Sequence, residues 1–199
     1  MYPLLETIKC DEGKFCNLEF HQARLEKSQK EYFGISPKIK LTEEILIPEF
    51  AKNGLFRCRV IYSEQIDSIE FFPYQFRIIK SLKIVEDNKI DYRYKYSERE
   101  KLNGLFEKRG NFDDIIIVKN GCITDSFVSN LVLSDGEKWR TPDTPLLPGT
   151  QRERLLKEGK IFESRILVDD ISNFKKVGLI NAFNDLTEMQ VVAFENIFF

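Results

Sequence analysis

Lys95 lies in the run Ile90-Asp91-Tyr92-Arg93-Tyr94-Lys95-Tyr96-Ser97-Glu98-Arg99. A lysine amine attacks a carbonyl carbon in its neutral form, and the neighbouring tyrosines supply an apolar wall that would favour that form. Upstream, Arg24 in His21-Gln22-Ala23-Arg24-Leu25 carries a planar fork that can grip two phosphate oxygens at once. Downstream, Asp125 follows an Asn-Gly turn, where an aspartate either caps the turn or faces a cation. Pro148-Gly149-Thr150-Gln151-Arg152 reads as a turn opening a helix. Unpaired N–H groups and the helix dipole there suit an anion, and Gly149 allows close approach; Thr150 as a simple N-cap is the other reading. Asn181 either closes a turn after a buried strand or offers a further polar contact. Arg57 and Arg59 share one strand face by period two, directed at water or at a carboxylate, with Arg59 the better carboxylate receptor. Local pattern alone reads Lys95 as a solvated strand residue and Arg24 as an arginine laying its stem over Phe20.

The elements that must position these groups are an alternation of short strands and helices. Leu4–Cys10 and Lys14–Leu18 read as a hairpin about Asp11-Glu12-Gly13. The spacing predicts helices over Phe20–Phe33, ending at Gly34, and over Thr42–Lys52. Leu55–Tyr62, Gln65–Pro73 and Ile78–Val85 read as strands, and the alternation of Ile90, Tyr92, Tyr94 and Tyr96 predicts another. A helix over Ser97–Lys108 follows, placing Lys95 where a strand hands over to a helix. Asp113–Lys119, Cys122–Thr124 and Phe127–Leu133 are predicted strands, with Asn120-Gly121 and Asp135-Gly136 as tight turns. After a helix near Thr150 come a strand over Lys160–Val168, a short helix over Asp169–Phe174 and a strand over Val177–Asn181; Met189–Phe199 is strand or irregular. The polar stretch Glu86-Asp87-Asn88-Lys89 divides an N-terminal lobe, 1–88, from a C-terminal lobe, 89–199. The fold class is α+β, two-lobed, with mainly antiparallel sheets.

Composition excludes several classes. The chain has 199 residues and a net charge of -2, so no polyanionic partner such as nucleic acid is expected. No apolar run approaches the roughly 20 residues that span a bilayer, and the start lacks the pattern of a signal peptide. Cys10, Cys16, Cys58 and Cys122 show no C-x-x-C spacing, and His21 is the only histidine. No metal site is expected, the thiols read as reduced in a cytoplasmic protein, and acid–base chemistry falls to Lys, Asp, Glu or Tyr.

The ordered set resembles the class IV aminotransferases, which include branched-chain and D-amino-acid aminotransferases and aminodeoxychorismate lyase. His21-x-x-Arg24-Leu25 is similar to the family's H-x-x-R-L signature. Asp125 stands five residues before Asn130, where the family carries a glutamate. Thr141-Pro142 through Pro148-Gly149-Thr150-Gln151-Arg152 follows the phosphate-binding segment, with Gln151 in place of a second threonine. Asn181-Ala182-Phe183 resembles the corresponding segment of the lyase-like members, and Arg99 matches an arginine that follows their lysine. The resemblance implies fold type IV, pyridoxal 5'-phosphate as cofactor, and Lys95 as the Schiff-base residue and catalytic base. Arg24, Gly149, Thr150, Gln151 and Asn181 would hold the phosphate, Asp125 the ring nitrogen, and Arg59 and Arg99 the substrate. It also implies a homodimer acting on a small amine or amino acid. The expected activity is that of a lyase releasing pyruvate to leave 4-aminobenzoate; the alternatives are an aminotransferase of branched-chain or D-amino-acid type, and a cofactor-binding module without turnover. The chain reads as a compact member of the family.

Overall fold

A computed structural model describes residues 1–199, which group by internal contacts into two units. The first comprises Met1–Phe76 with Tyr94–Glu98, the second Arg77–Arg93 with Arg99–Phe199.

In the first unit, β1 (Leu4–Asp11), β2 (Lys14–Phe15), β3 (Leu55–Tyr62) and β4 (Ile66–Pro73) form an antiparallel sheet in the order β2-β1-β3-β4. Period two along β1 puts Leu4, Glu6, Ile8 and Cys10 on one face, all fully buried. The helix α1 (Leu18–Glu31) buries His21, Leu25, Ser28 and Gln29, a helical stripe. Leu4, Ile8, Leu25, Leu41, Val60 and Tyr62 share the resulting core, each large aliphatic side chain contributing about 1.5–3 kcal/mol. Helix α1 starts two residues before the expected Phe20, because Asn17 adopts a left-handed conformation (φ 53°) and turns the chain out of a hairpin strand that ends at Phe15. The helix expected over Thr42–Lys52 is instead α2 (Leu41–Glu44) and a 3-10 turn at Glu49–Ala51. Pro48 separates them, since proline disfavours helical geometry at the residue before it.

In the second unit, β5 (Leu82–Glu86), α3 (Glu100–Glu107), β6 (Asp114–Lys119), β7 (Cys122–Ile123), β8 (Asn130–Ser134) and β9 (Trp139–Pro142) are followed by α4 (Thr150–Lys157), β10 (Phe162–Ser164), β11 (Lys176–Ile180), β12 (Gln190–Ala193) and β13 (Ile197–Phe198). They form two sheets, β10-β9-β8-β11-β12 and β13-β5-β6-β7. Pairing is mainly antiparallel, but β5 runs parallel to both β6 and β13, and β9 to β10. The run Ile115-Ile116-Ile117-Val118 of β6 is buried throughout, as strands covered on both faces are. Ile116, Val118, Leu131, Leu133, Val177 and Leu179 meet in one core. The strand expected over Lys160–Val168 contracts to Phe162–Ser164, and β9 has no counterpart in the sequence reading. No helix is long and apolar enough to cross a membrane.

Two departures concern the segment that carries Lys95. The boundary expected at residue 88 lies elsewhere, because the register of β5 against β6, Leu82 opposite Asp114 through Glu86 opposite Val118, ties residues 77–93 to the second unit. The strand expected over Ile90–Tyr96 does not form. Its apolar residues serve two cores: Ile90 and Tyr92 are buried in the second unit, whereas Tyr94 and Tyr96 pack with the core of the first. Only Tyr96 makes a bridge, to Leu4, and the Lys95 carbonyl accepts the Leu5 N–H at 2.8 Å. Alternation signals which side chains are buried; a ladder also requires a neighbouring edge.

Candidate functional site

In the first unit the site is organised about a residue that the sequence reading missed. Glu6 is fully buried between Leu4 and Ile8. Arg24 donates Nε to Oε1 at 2.8 Å and Nη2 to Oε2 at 2.5 Å, and His21 Nδ1 lies 2.6 Å from Oε2. His21 and Arg24 are three apart on α1, so both face the strand. Burial pushes the Glu6 carboxyl up, but Arg24 and His21 overcome it and hold its pKa at about 2. Burial lowers the His21 pKa, with the Arg24 and Lys95 charges acting the same way against Glu6. The group is therefore Glu6⁻, Arg24⁺ and a neutral His21 donating from Nδ1. Lys95, half-buried, lies between Tyr94 and Tyr96, whose rings sit 4.9 and 5.7 Å from Tyr32. The charges of Lys95 and Arg24 thus both act on His21. A signal for Glu6 was present: a carboxylate in phase with the apolar residues of a strand. Arg59 is engaged elsewhere, with Nη1 3.3 Å from Glu70, its partner across β3 and β4.

In the second unit Asp125 is 6% exposed. Its Oδ1 accepts Asn130 Nδ2 at 2.7 Å and its Oδ2 accepts the Leu147 N–H at 3.0 Å. Burial pushes its pKa up to about 6, against these donors and the charge of Arg152. Asp125 is therefore mostly ionised at neutral pH. The same Asn130 Nδ2 donates to the Leu147 carbonyl at 2.8 Å. Gly149 is the N-cap of α4 and offers no side-chain cap; Thr150 and Gln151 open the helix and are buried. Arg152 anchors α4, with Nη2 donating to the Pro142 carbonyl at 2.9 Å and to Glu163 at 2.6 Å. The fold thus connects Asp125 to the Gly149–Thr150 turn through one asparagine.

Asn181 closes a turn: its Oδ1 accepts the N–H groups of Phe183 and Asn184, and its Nδ2 donates to Ser129 Oγ at 3.0 Å. Ser129, next to Asn130, was not anticipated. Arg99 is half-buried just before α3. Its Nη2 donates to the Phe127 carbonyl at 2.7 Å and its guanidinium lies 4.5 Å from the Phe127 ring centre. A cleft of about 350 Å³ in this unit is lined by Tyr92, Arg93, Lys119, Cys122, Thr144 and Arg165 among others, and by none of the anticipated site residues. Its cations are already engaged: Arg93 by Asp91, Arg165 by Asp143, and Lys119 by the Ile90 carbonyl.

Amino-transferase class IV is the family that matches, over residues 94–191. An uncharacterized protein of Haemophilus influenzae is 47% identical over 188 residues, which make up 94% of this chain and all of that one. A solved structure from Haemophilus somnus, provisionally named a 4-amino-4-deoxychorismate lyase, superposes with a TM-score of 0.87 at 35% identity, covering 94% of this chain and 98% of that one. The branched-chain amino acid aminotransferase of Escherichia coli shares the fold at 17% identity, with a TM-score of 0.72 and coverage of 98% and 76%. This chain accordingly belongs to the class IV amino-transferase family of enzymes and has the mixed α/β fold of its members.

Proposed function

We propose that this protein holds pyridoxal 5'-phosphate and acts as a 4-amino-4-deoxychorismate lyase. The observation that carries the reading is Asp125, a buried carboxylate that accepts only from neutral donors and keeps a pKa of about 6. Such a group can meet a protonated ring nitrogen and stabilise its charge. The donor set would suit the rest of the cofactor: Arg24, whose Nε and Nη2 are held by Glu6, would turn its Nη1 edge to phosphate, and the turn Gly149-Thr150-Gln151 opening α4 would add backbone and hydroxyl contacts. When bound, the cofactor withdraws electrons from the carbon beside the substrate nitrogen.

Lys95 would hold the cofactor through its amine and, once the substrate amine has taken its place, the freed Lys95 amine would move the proton at the substrate carbon. Arg24 holds phosphate, and Glu6 fixes the direction of its fork. Asn181 acts at one remove, orienting the Ser129 hydroxyl. Arg99 receives a substrate carboxylate, its orientation set by the ring and carbonyl of Phe127; Arg59, already on Glu70, is the weaker candidate. Loss of pyruvate then leaves 4-aminobenzoate. The 35% identity to the Haemophilus somnus structure favours this over transamination. A homodimer is part of the same reading, supported by the exposed Leu46, Phe50, Phe76 and Ile78. Four free thiols suit the reducing cytoplasm.

Aminodeoxychorismate offered to the purified protein should yield 4-aminobenzoate and pyruvate. Glutamate formed only from amino acids with 2-oxoglutarate would overturn the lyase reading in favour of an aminotransferase. Borohydride treatment should fix a mass increase on Lys95. Lys95→Ala should abolish turnover, and Arg24→Ala should mainly weaken cofactor binding; normal turnover in Lys95→Ala rules out the mechanism. Failure of the cofactor to bind would leave a protein of this fold without this chemistry.

A further inference from the structure

Asn130 makes contacts that are hard to replace. Its Nδ2 donates both to Asp125 Oδ1 (2.7 Å) and to the Leu147 carbonyl (2.8 Å). Turning the amide over would aim its oxygen at two acceptors, so its orientation is fixed. Its Oδ1 therefore points to Gly149, where a Cβ would lie 2.0 Å from Oδ1 and 3.2 Å from Cγ. Gly149 has φ -78° and ψ 147°, a conformation open to any residue. The backbone does not call for glycine at this position; the Asn130 amide does.

We propose that Asn130 is a positioning residue that locks the Asp125 carboxylate to the Leu147–Thr150 turn, and that residue 149 is glycine to admit it. The inference rests on the reading that Asp125 and this turn serve one cofactor, but the lock itself can be tested without the cofactor. The groups facing Asp125 are the Asn130 amide from β8, the Leu146 and Leu147 N–H groups from the loop and the charge of Arg152 from α4. Of these, Asn130 alone touches both the carboxylate and the glycine. Removing its donor disfavours the carboxylate form. Adding a methyl at residue 149 drives the amide away and has the same effect, provided that Asn130 is present.

The experiment uses the full-length chain as wild type, Asn130→Ala, Gly149→Ala and the double variant. Asp125 is titrated by carboxyl carbon NMR, its signal assigned by its loss in Asp125→Asn, and pyridoxal 5'-phosphate is then titrated by absorbance. Each single variant should raise the Asp125 midpoint by about one pH unit, the size of one charge-assisted hydrogen bond. Cofactor affinity should fall about tenfold in each. On the Asp125 midpoint the double variant should be no worse than Asn130→Ala, because the clash has lost its partner. An unchanged midpoint in Asn130→Ala, or a full further midpoint shift from Gly149→Ala without Asn130, overturns the proposal. If Asn130→Ala does not fold, Asn130→Ser, which shortens the donor, is judged by the same titration. Midpoint shifts in a protein that takes up no cofactor would sink the functional reading and keep the lock; cofactor uptake with no shift would do the reverse.

Discussion

Glu6 in the first unit and Asp125 in the second are carboxylates with almost no solvent contact, 0% and 6% exposed, yet they hold their protons in opposite ways. Burial raises both. Glu6 faces the Arg24 guanidinium and the His21 ring, and its pKa falls to about 2. Asp125 meets an amide and a backbone N–H, with Arg152 adding only its charge, and its pKa rises to about 6. Asp114 follows the same logic: it is buried, its nearest cation, Arg77, stands 3.7 Å away, and burial raises its pKa. A close cation makes a permanent anion of Glu6, suited to aiming an arginine. Neutral donors leave Asp125 near its titration point, suited to meeting a cation that arrives with a ligand.

The largest test of this contrast is Glu6→Ala. It strands Arg24 and His21 and should lower the unfolding free energy by about 3–5 kcal/mol in denaturant titrations; a loss under about 1 kcal/mol would remove the network from the account of the first unit. The pH dependence of stability comes next and separates the two groups by sign. Glu6 has its pKa depressed on folding, so its contribution is present above pH 4.5 and is lost as pH falls towards about 2. Asp125 has its pKa raised from 3.8, so the folded state binds the extra proton, and stability declines as pH rises from about 4 to about 6. Each term amounts to about 3 kcal/mol. Unfolding free energies across this range should lose the first slope in Glu6→Gln and the second in Asp125→Ala; the downward slope persisting in Asp125→Ala would show that another group carries it.

Smaller effects mark the edges of the site. Asn181→Ala removes two hydrogen bonds within its turn and one to Ser129 and should lower stability by about 1–2 kcal/mol by thermal denaturation. Arg59→Met breaks a half-exposed pair with Glu70 and should alter stability by less than about 1 kcal/mol while leaving KM unchanged. A tenfold rise in KM would make Arg59, not Arg99, the carboxylate receptor.

Much of the local structure was legible in the residues. The Asn120-Gly121 turn has φ of 51° and 74°, values that this pair favours. The period-two burial of β1 and the helical stripe of α1 follow from the order of apolar residues. The segment around Lys95 was not legible in this way, because its alternating side chains enter two cores. Parallel pairing of β5 with β6 was equally hidden, since a buried β6 reads the same with neighbours in either direction. Arg24 could be nominated from its motif, but its partner Glu6, 18 residues away in sequence, could not.

The sequence by itself determined the reactive groups, the turns and which face of each strand or helix would be apolar, because those depend on side chains a few residues apart. The tertiary structure decided that Glu6 binds Arg24, that Asn130 lies against Gly149 and joins it to Asp125, and where the chain divides. Those contacts arise only when distant segments pack, and the charge or neutrality of the neighbour so acquired sets what each buried carboxylate can do.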